Sequence, residues 1–496
     1  MGSGIALVAL FAGCEVYLQD AYPQMLDKAS AYLKEFLDKK GRGAAFKNLH
    51  LVAKLEDLAP AQVVIEAAPE QLTLKQEIFR QLDAICPPPA ILASNTSTLS
   101  VTAIAAATQH PERVAGLHFF NPAAVLPLVE VVRAAGTDIS IMDSLVALVQ
   151  AFGKTPVVTG DTPGFIVNRV ARPYYGEALR LLGEGVASIE QIDQIAEGGG
   201  FRMGPFRLMD LIGIDVNTAA MQSLYAQTFG EPRYRPHWLQ MQKVAEGALG
   251  RKSGRGFYQY KGEGERKKDE KLKAEIGGGS GRVLISEGTW APGLAELCAQ
   301  AGYEIDSVPD AEQHPVACFV VAGRHEEAAR LAAWYDQSLP PEVPLLIQCA
   351  DLTLSEAATW VQHKHRLIGF DGLFLAGGHV ATLVWEASAA KDEVEKIMGN
   401  FGKSPVWIKE TPGLVLPRIV CQLANEAAFA ELEGVAEGTI IDLAMKLGVN
   451  YPKGPLEWGL ELGYDKVEAV LDHLFIEYHE ERYRACVLLR QWAREA

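Results

Sequence analysis

No two of the seven cysteines stand in a C-x-x-C pair, and their wide spacing suits neither a disulfide framework nor a zinc site. A reduced compartment is therefore expected, with a cytoplasmic location and no metal. Nowhere do about 18 apolar residues run together, and the first apolar stretch, Ile5 to Ala12, has no basic flank, so neither membrane insertion nor export is expected. Positive charge is also scarce. The net charge is -16, and no Lys/Arg patch is interleaved with aromatics, which argues against a nucleic-acid partner. The one basic run, between Arg266 and Lys273, alternates with acids and reads as a solvated linker.

A further absence lies in MGSGIALVALFAGCEVYLQD. A dinucleotide fingerprint runs strand, G-x-G-x-x-G, helix, second strand and an acid about 20 positions on. Here Gly2 stands as the third glycine, Ile5 to Phe11 as the helix, Gly13 as its end, Glu15 to Leu18 as the second strand and Asp20 as the acid. The first strand and two glycines are missing. That leads to the expectation of a native start about 15 to 20 residues earlier, one strand plus turn.

What is present is large and apolar. At 496 residues and 49% hydrophobic content the chain is too long for one domain. Up to Val158, strand-like runs at Val63 to Glu66, Ile91 to Ala93 and Val114 to His118 alternate with helical stretches at Ala21 to Asp38 and Leu72 to Ala84. This is the pattern of a Rossmann-like, doubly wound α/β sheet. From Asp161 to about Gly250 the spacing turns helical. Residues 261–281 are charged and then glycine-rich, hence a linker.

The remainder is read from a repeat. FGKTPVVTGDTPGFIVNR at 152–169 returns as FGKSPVWIKETPGLVLPR at 401–418, and MGPFRLMDLIG at 203–213 returns as KGPLEWGLELG at 453–463. Two copies suit duplication of a helical domain better than a solenoid. Between linker and second copy, residues 283–288, 318–323, 343–349 and 372–378 read as strands of a degenerate second α/β unit, and RLIGFD at 366–371 echoes RVAGLH at 113–118. The expected domains are 1–158 (truncated α/β), 159–260 (helical), 261–281 (linker), 282–400 (degenerate α/β) and 401–496 (second helical).

Several residues offer chemistry. His118 ends one strand and Glu130 lies on the next, so a tight return can bring the carboxylate beside the imidazole, fix its tautomer and stabilise the imidazolium. A core histidine in a buried turn remains open. SNTST at 94–98, with Asn95 and Ser97, follows a strand at the edge where such sheets bind ligands, or caps the next helix. Asn168 lies in a Pro-Gly break entering a helix. Glu70 and Lys75 line a cofactor rim or simply start a helix.

Taken in order, GSGIA (2–6), VYLQD (16–20), VIEAAPE (64–70), ASNTSTLS (93–100), RVAGLHFFNPAAVLPLVEVV (113–132), DTPGFIVNR (161–169) and GRKSGRGFY (250–258) resemble the L-3-hydroxyacyl-CoA dehydrogenase family. The duplicated second half resembles its two-copy bacterial type, associated with 3-hydroxyadipyl-CoA in phenylacetate catabolism. The resemblance implies an NAD-dependent oxidoreductase of fatty-acid β-oxidation type acting on an acyl-CoA, with 3-hydroxyadipyl-CoA or 3-hydroxybutyryl-CoA as substrate. It further implies His118 as base, Glu130 as its partner, Ser97 as a donor to the reacting oxygen and Asn168 as a substrate-holding group. Gly2, Asp20, Glu70, Lys75 and Asn95 would border the cofactor. Asp20 is followed by Ala21 and Tyr22, with no Arg for a 2′-phosphate, which favours NAD over NADP. In the second copy Pro417 stands for Asn168 and Asp371 echoes His118, so no second active site is expected. The two helical copies are expected to pair as an internal pseudo-dimer, with a homo-oligomer as the other arrangement. Two rival readings are a dehydrogenase of free β-hydroxy acids, which would want a Lys base, and a catalytically silent acyl-CoA-binding or assembly protein.

Overall fold

The short apolar runs of the first 160 residues become strands: β1 (Val16–Gln19), β2 (Leu49–Val52), β3 (Val63–Glu66), β4 (Ile91–Ser94), β5 (Val114–Phe119), β6 (Leu128–Arg133) and β7 (Thr155–Gly160). They are seen in a computed structural model that describes residues 1–260, 275–310, 312, 314–323, 325–384 and 390–495. Contacts divide the chain into two compact units, Met1–Val170 with Ala430–Gly454, and Ala171–Phe429 with Pro455–Ala496.

In the first unit β3 to β7 form a five-stranded sheet in chain order, and β1 pairs only with β2 in a separate two-stranded sheet. Every pairing is parallel except β5 with β6. All of β1 and most of β3 are half-buried, whereas β4 is buried throughout. Helix Gly2–Phe11 ends as expected at Gly13, whose φ of +84° closes the last turn with bonds from Gly13 N–H to Leu10 and Cys14 N–H to Ala9. Helix Pro23–Lys39 starts on a proline and turns Leu26, Ala29, Leu33 and Leu37 inward at helical spacing. Each such leucine contributes about 1.5–3 kcal/mol by leaving water.

The second unit holds a seven-stranded sheet built from β8 (Arg282–Ile285), β9 (Glu304–Asp306), β10 (Ala317–Val320), β11 (Leu345–Gln348), β12 (Leu367–Phe370), β13 (Val380–Val384) and β14 (Ser404–Ile408), in the order β14-β13-β12-β11-β10-β8-β9. The unit that looks degenerate in sequence thus has the more complete sheet. One expected strand is corrected: residues 372–378 are turns, and the strand follows at β13. The Asp371 carboxylate accepts the Phe374 N–H at 3.2 Å, which folds the chain back before a strand can start. Of the expected linker, 261–274 and the basic run within it lie outside the described residues, and 275–281 hold no helix or strand.

Within the helical regions, residues 430–454 group with the first α/β sheet. Their contacts repeat. In the first unit Arg169 pairs with Glu433 at 2.9 Å; in the second, Arg418 pairs with Glu184 at 3.1 Å, each partner lying 249 positions from its counterpart. The Tyr234 hydroxyl donates to Glu426 at 2.5 Å, and that of Tyr483 to Glu177 at 3.0 Å. In each case residue i of one copy meets j of the other and j meets i.

Candidate active site

The antiparallel register of β5 and β6 sets His118 directly opposite Glu130. Both side chains lie on one face of the sheet, and Nδ1 of His118 meets Oε2 of Glu130 at 2.6 Å. His118 is 4% exposed and Glu130 not at all, so the contact is shielded from water. An ionised carboxylate can only accept, so this contact calls for a proton on Nδ1. The other oxygen, Oε1, accepts the backbone N–H groups of Ile166 and Val167 at 3.0 and 2.9 Å. One carboxylate therefore fixes the imidazole and the start of the segment that carries Asn168.

Asn168 reaches back from that segment, its side-chain amide donating to the Ser97 carbonyl at 3.2 Å. Ser97 belongs to the turn after β4, gathered by Glu70. Glu70 Oε1 accepts the Thr96 hydroxyl at 2.7 Å and the Ser97 and Thr98 N–H groups at 2.8 and 2.9 Å. Burial works against the Glu70 charge, but the Thr96 hydroxyl, Lys75 and these N–H groups outweigh it and hold the carboxyl below its usual range. Lys75 is 1% exposed and turned inward onto Glu66, 2.8 Å away, with Glu70 at 3.5 Å. Asn95 is buried too, and its Oδ1 accepts the Phe119 N–H at 2.8 Å, tying β4 to the end of β5.

Two carboxylates escaped notice in the sequence although both lie in quoted motifs. Glu66 takes Lys75 and the Ser94 hydroxyl, the latter at 2.6 Å. Asp161 takes the Ser100 hydroxyl and the N–H groups of Val101 and Thr102, pinning the DTPG segment to the helix after SNTST. Their signal was an acid at a strand end or beside a Pro-Gly break, which many surface acids share.

Gly2, Asp20 and Asn95 each lie at or next to an end of an element of the first unit. Gly2 heads the helix Gly2–Phe11, and its hypothetical Cβ would make only ordinary contact with Ala67 at 4.0 Å. Asp20 directly follows β1 and accepts the Tyr22 N–H at 2.9 Å. Asn95 to Ser97 directly follow β4. A helix start, an acid directly after a strand and polar groups at a strand end are the kinds of group that a dinucleotide takes. Next to Gly2, a cavity of about 310 Å³ is lined by Met1, Ser3, Gly4, Lys28, Tyr32 and the Asn121-Pro122 turn, with Lys28 its only charged side chain. Among the described residues no cluster of three or more His, Cys, Asp or Glu could hold a metal ion, and no helix is long and apolar enough to cross a membrane.

The position corresponding to His118 in the second unit is Asp371, 3% exposed, with its N–H on the Thr382 carbonyl at 3.1 Å. Burial pushes its carboxyl up to about 7. No imidazole faces a carboxylate there.

Residues 1–162 match the family described as 3-hydroxyacyl-CoA dehydrogenase, NAD binding domain, and residues 164–260 and 413–496 match 3-hydroxyacyl-CoA dehydrogenase, C-terminal domain. The 3-hydroxyadipyl-CoA dehydrogenase of Escherichia coli K12 is 38% identical over 99% of this chain and 95% of its own. The human mitochondrial hydroxyacyl-coenzyme A dehydrogenase is 40% identical over 53% of this chain and 88% of its own. A crystal structure of a 3-hydroxybutyryl-CoA dehydrogenase from E. coli K12 superposes with a TM-score of 0.76 at 36% identity, covering 100% of this chain and 96% of that one. None of these supports a silent binding protein. The chain belongs to the 3-hydroxyacyl-CoA dehydrogenase family and is an NAD-dependent enzyme that oxidises 3-hydroxyacyl-CoA to 3-oxoacyl-CoA.

Proposed function

We propose that His118 is the general base of this oxidation and that the preferred substrate is 3-hydroxyadipyl-CoA, with 3-hydroxybutyryl-CoA second. The observation that carries the first part is the 2.6 Å pair of His118 and Glu130 on facing strands. Oxidising a secondary alcohol removes its O–H proton while the C–H hydrogen leaves with its electron pair. Nε2 of His118 takes the proton, and Glu130 stabilises the resulting imidazolium through Nδ1–H. Bound NAD supplies the hydride acceptor. Ser97 and Asn168 hold the reacting oxygen and the acyl group, and Glu70 keeps the Ser97 turn in place. Lys75 acts from beneath, through Glu66 and Glu70. Gly2, Asp20 and Asn95 border the dinucleotide, and Lys28, on its cavity, suits the anionic CoA. The preference for the dicarboxylic substrate rests on the near full-length likeness to the E. coli 3-hydroxyadipyl-CoA dehydrogenase. The two helical copies act as an internal pseudo-dimer, supported by the reciprocal pairs Arg169–Glu433 and Arg418–Glu184.

The test is NADH formation with both substrates. His118→Gln should lower kcat by about 10²- to 10⁴-fold with NADH affinity little changed, since the ring acts on the alcohol proton. A variant keeping a third of its kcat removes His118 from the role. Higher kcat/KM for the butyryl substrate reverses the substrate order.

A further inference from the structure

We propose that Gly448, on the second helical copy, is a positioning residue for the His118 site, so that the copy without catalytic groups serves the reaction by bracing it. The proposal rests on the reading of His118 and Glu130 given above. Helix Gly438–Val449 packs on β6 and on the short helix Val167–Val170, all within the first compact unit. A Cβ on Gly448 would come within 2.8 Å of Leu128 Cδ2 and 3.1 Å of Val167 Cγ2. Both neighbours bear on Glu130. Leu128 lies two residues before it on the same face of β6, and the Val167 N–H is one of the donors to its Oε1. Val167 also precedes Asn168. Leu128 is fully buried and Val167 is β-branched, so an added methyl is accommodated by moving the strand or the helix rather than by a rotamer change.

Other residues of the same copy grip the same segment. Glu433 pairs with Arg169, next to Asn168, at 2.9 Å, and the Val435 carbonyl accepts the Thr159 hydroxyl at 3.2 Å at the end of β7. Glu130 and Asn168 are thus held from behind by residues 433–448.

The repeat supplies its own control. Gly199 lies 249 positions before Gly448, and its Cβ would come 2.3 Å from Leu416 Cδ2, where Leu416 is the counterpart of Val167. That contact is tighter, yet it stands beside Pro417 and serves no imidazole.

The experiment compares Gly448→Ala, Gly199→Ala and His118→Gln in the full chain, reading kcat, KM and thermal midpoint. Gly448→Ala should lower kcat by about tenfold or more, in line with the cost of a sub-ångström misplacement of catalytic groups, while its midpoint falls only modestly because the helix preference of Ala offsets part of the overpacking. Gly199→Ala should keep kcat within about twofold, and Leu128→Ala added to Gly448→Ala should return most of the lost rate by making room. Gly448→Ala with a wild-type kcat, or an equal loss in Gly199→Ala, overturns the proposal. If His118→Gln stays active, the site reading itself fails, whatever Gly448 does. Should Gly448→Ala not fold, Glu433→Gln carries the same expectation of a lowered kcat, and an unchanged kcat there overturns it.

Discussion

At the scale of single residues, the two oxygens of Glu130 have different duties, and a glutamine cannot perform both. Its carbonyl can replace the acceptor for Ile166 and Val167, but its NH₂ then faces His118 Nδ1, which must become the acceptor. The ring proton moves to Nε2 and the base is lost while the segment stays anchored. Glu130→Gln should therefore lower kcat by about 10²-fold or more with KM nearly unchanged, and a kcat within threefold of wild type would show that tautomer control is not needed. His237 poses a stability question instead. It caps helix Trp238–Ala245 by accepting the Leu239 N–H on Nδ1 at 3.3 Å, and burial, then Arg180 and Arg482, push its pKa down to about 4. Because the folded value lies below the unfolded one of 6.5, the neutral ring contributes stability above pH 6.5, and this is lost as the pH falls toward 4. His237→Asn keeps a capping acceptor that does not titrate. Its thermal midpoint should fall less than that of the wild type between pH 6.5 and 4, and parallel declines would remove His237 as a source of acid sensitivity.

At the scale of elements, the best exposed test is the buried cluster on helix Arg172–Gly183. Burial would raise Glu177, but the guanidinium groups of Arg418, Arg180 and Arg482 more than offset it and hold its carboxyl below the usual range. Arg418 lies 2.7 Å away and is fully buried. Glu177→Ala leaves that charge poorly paired in a dry setting and should cost about 3–5 kcal/mol, read as a lowered urea midpoint with an unchanged slope. A midpoint equal to wild type would show water or Glu184 supplying the compensation. The elements also show what the sequence disclosed. β3 was legible to its ends because four apolar or terminal residues, VVIE, stand between turn signals, and His118 could be placed opposite Glu130 because turn residues separate two apolar runs. Helix Ile139–Ala151 went unread: its Ile, Met, Leu and Val suit strand or helix alike when polar spacers are few. Residues 372–378 misled for the same reason, since periodicity carries no trace of Asp371 folding the chain back onto Phe374 N–H. The strand order of the second sheet, with β8 between β9 and β10, depends on pairings far apart in sequence.

At the scale of the whole molecule, the proposed internal pseudo-dimer turns on the duplication. The Bacillus subtilis probable 3-hydroxybutyryl-CoA dehydrogenase matches 52% of this chain over 94% of its own length. In this chain every partner needed for a symmetric contact is already encoded in the first copy. Arg169 is the counterpart of Arg418, and Glu184 of Glu433; Tyr234 is the counterpart of Tyr483, and Glu177 of Glu426. Two molecules of a fragment 1–260 would thus offer one another Arg169 for Glu184 and Tyr234 for Glu177, twice over, with apolar helix faces between them. The fragment is expected to elute in light-scattering chromatography at twice its chain mass, or to precipitate where the match between identical copies is worse than between the diverged ones, while the full chain is expected to stay at one chain mass. Tyr234→Phe with Glu177→Gln should weaken the fragment dimer measurably, because it removes a hydrogen bond to a charged acceptor at two places related by symmetry, each contributing about 1.5–3 kcal/mol. A fragment that remains a soluble monomer at high concentration would mean that the reciprocal pairs of the duplicated chain are incidental to its assembly, and the internal pseudo-dimer would have to be abandoned.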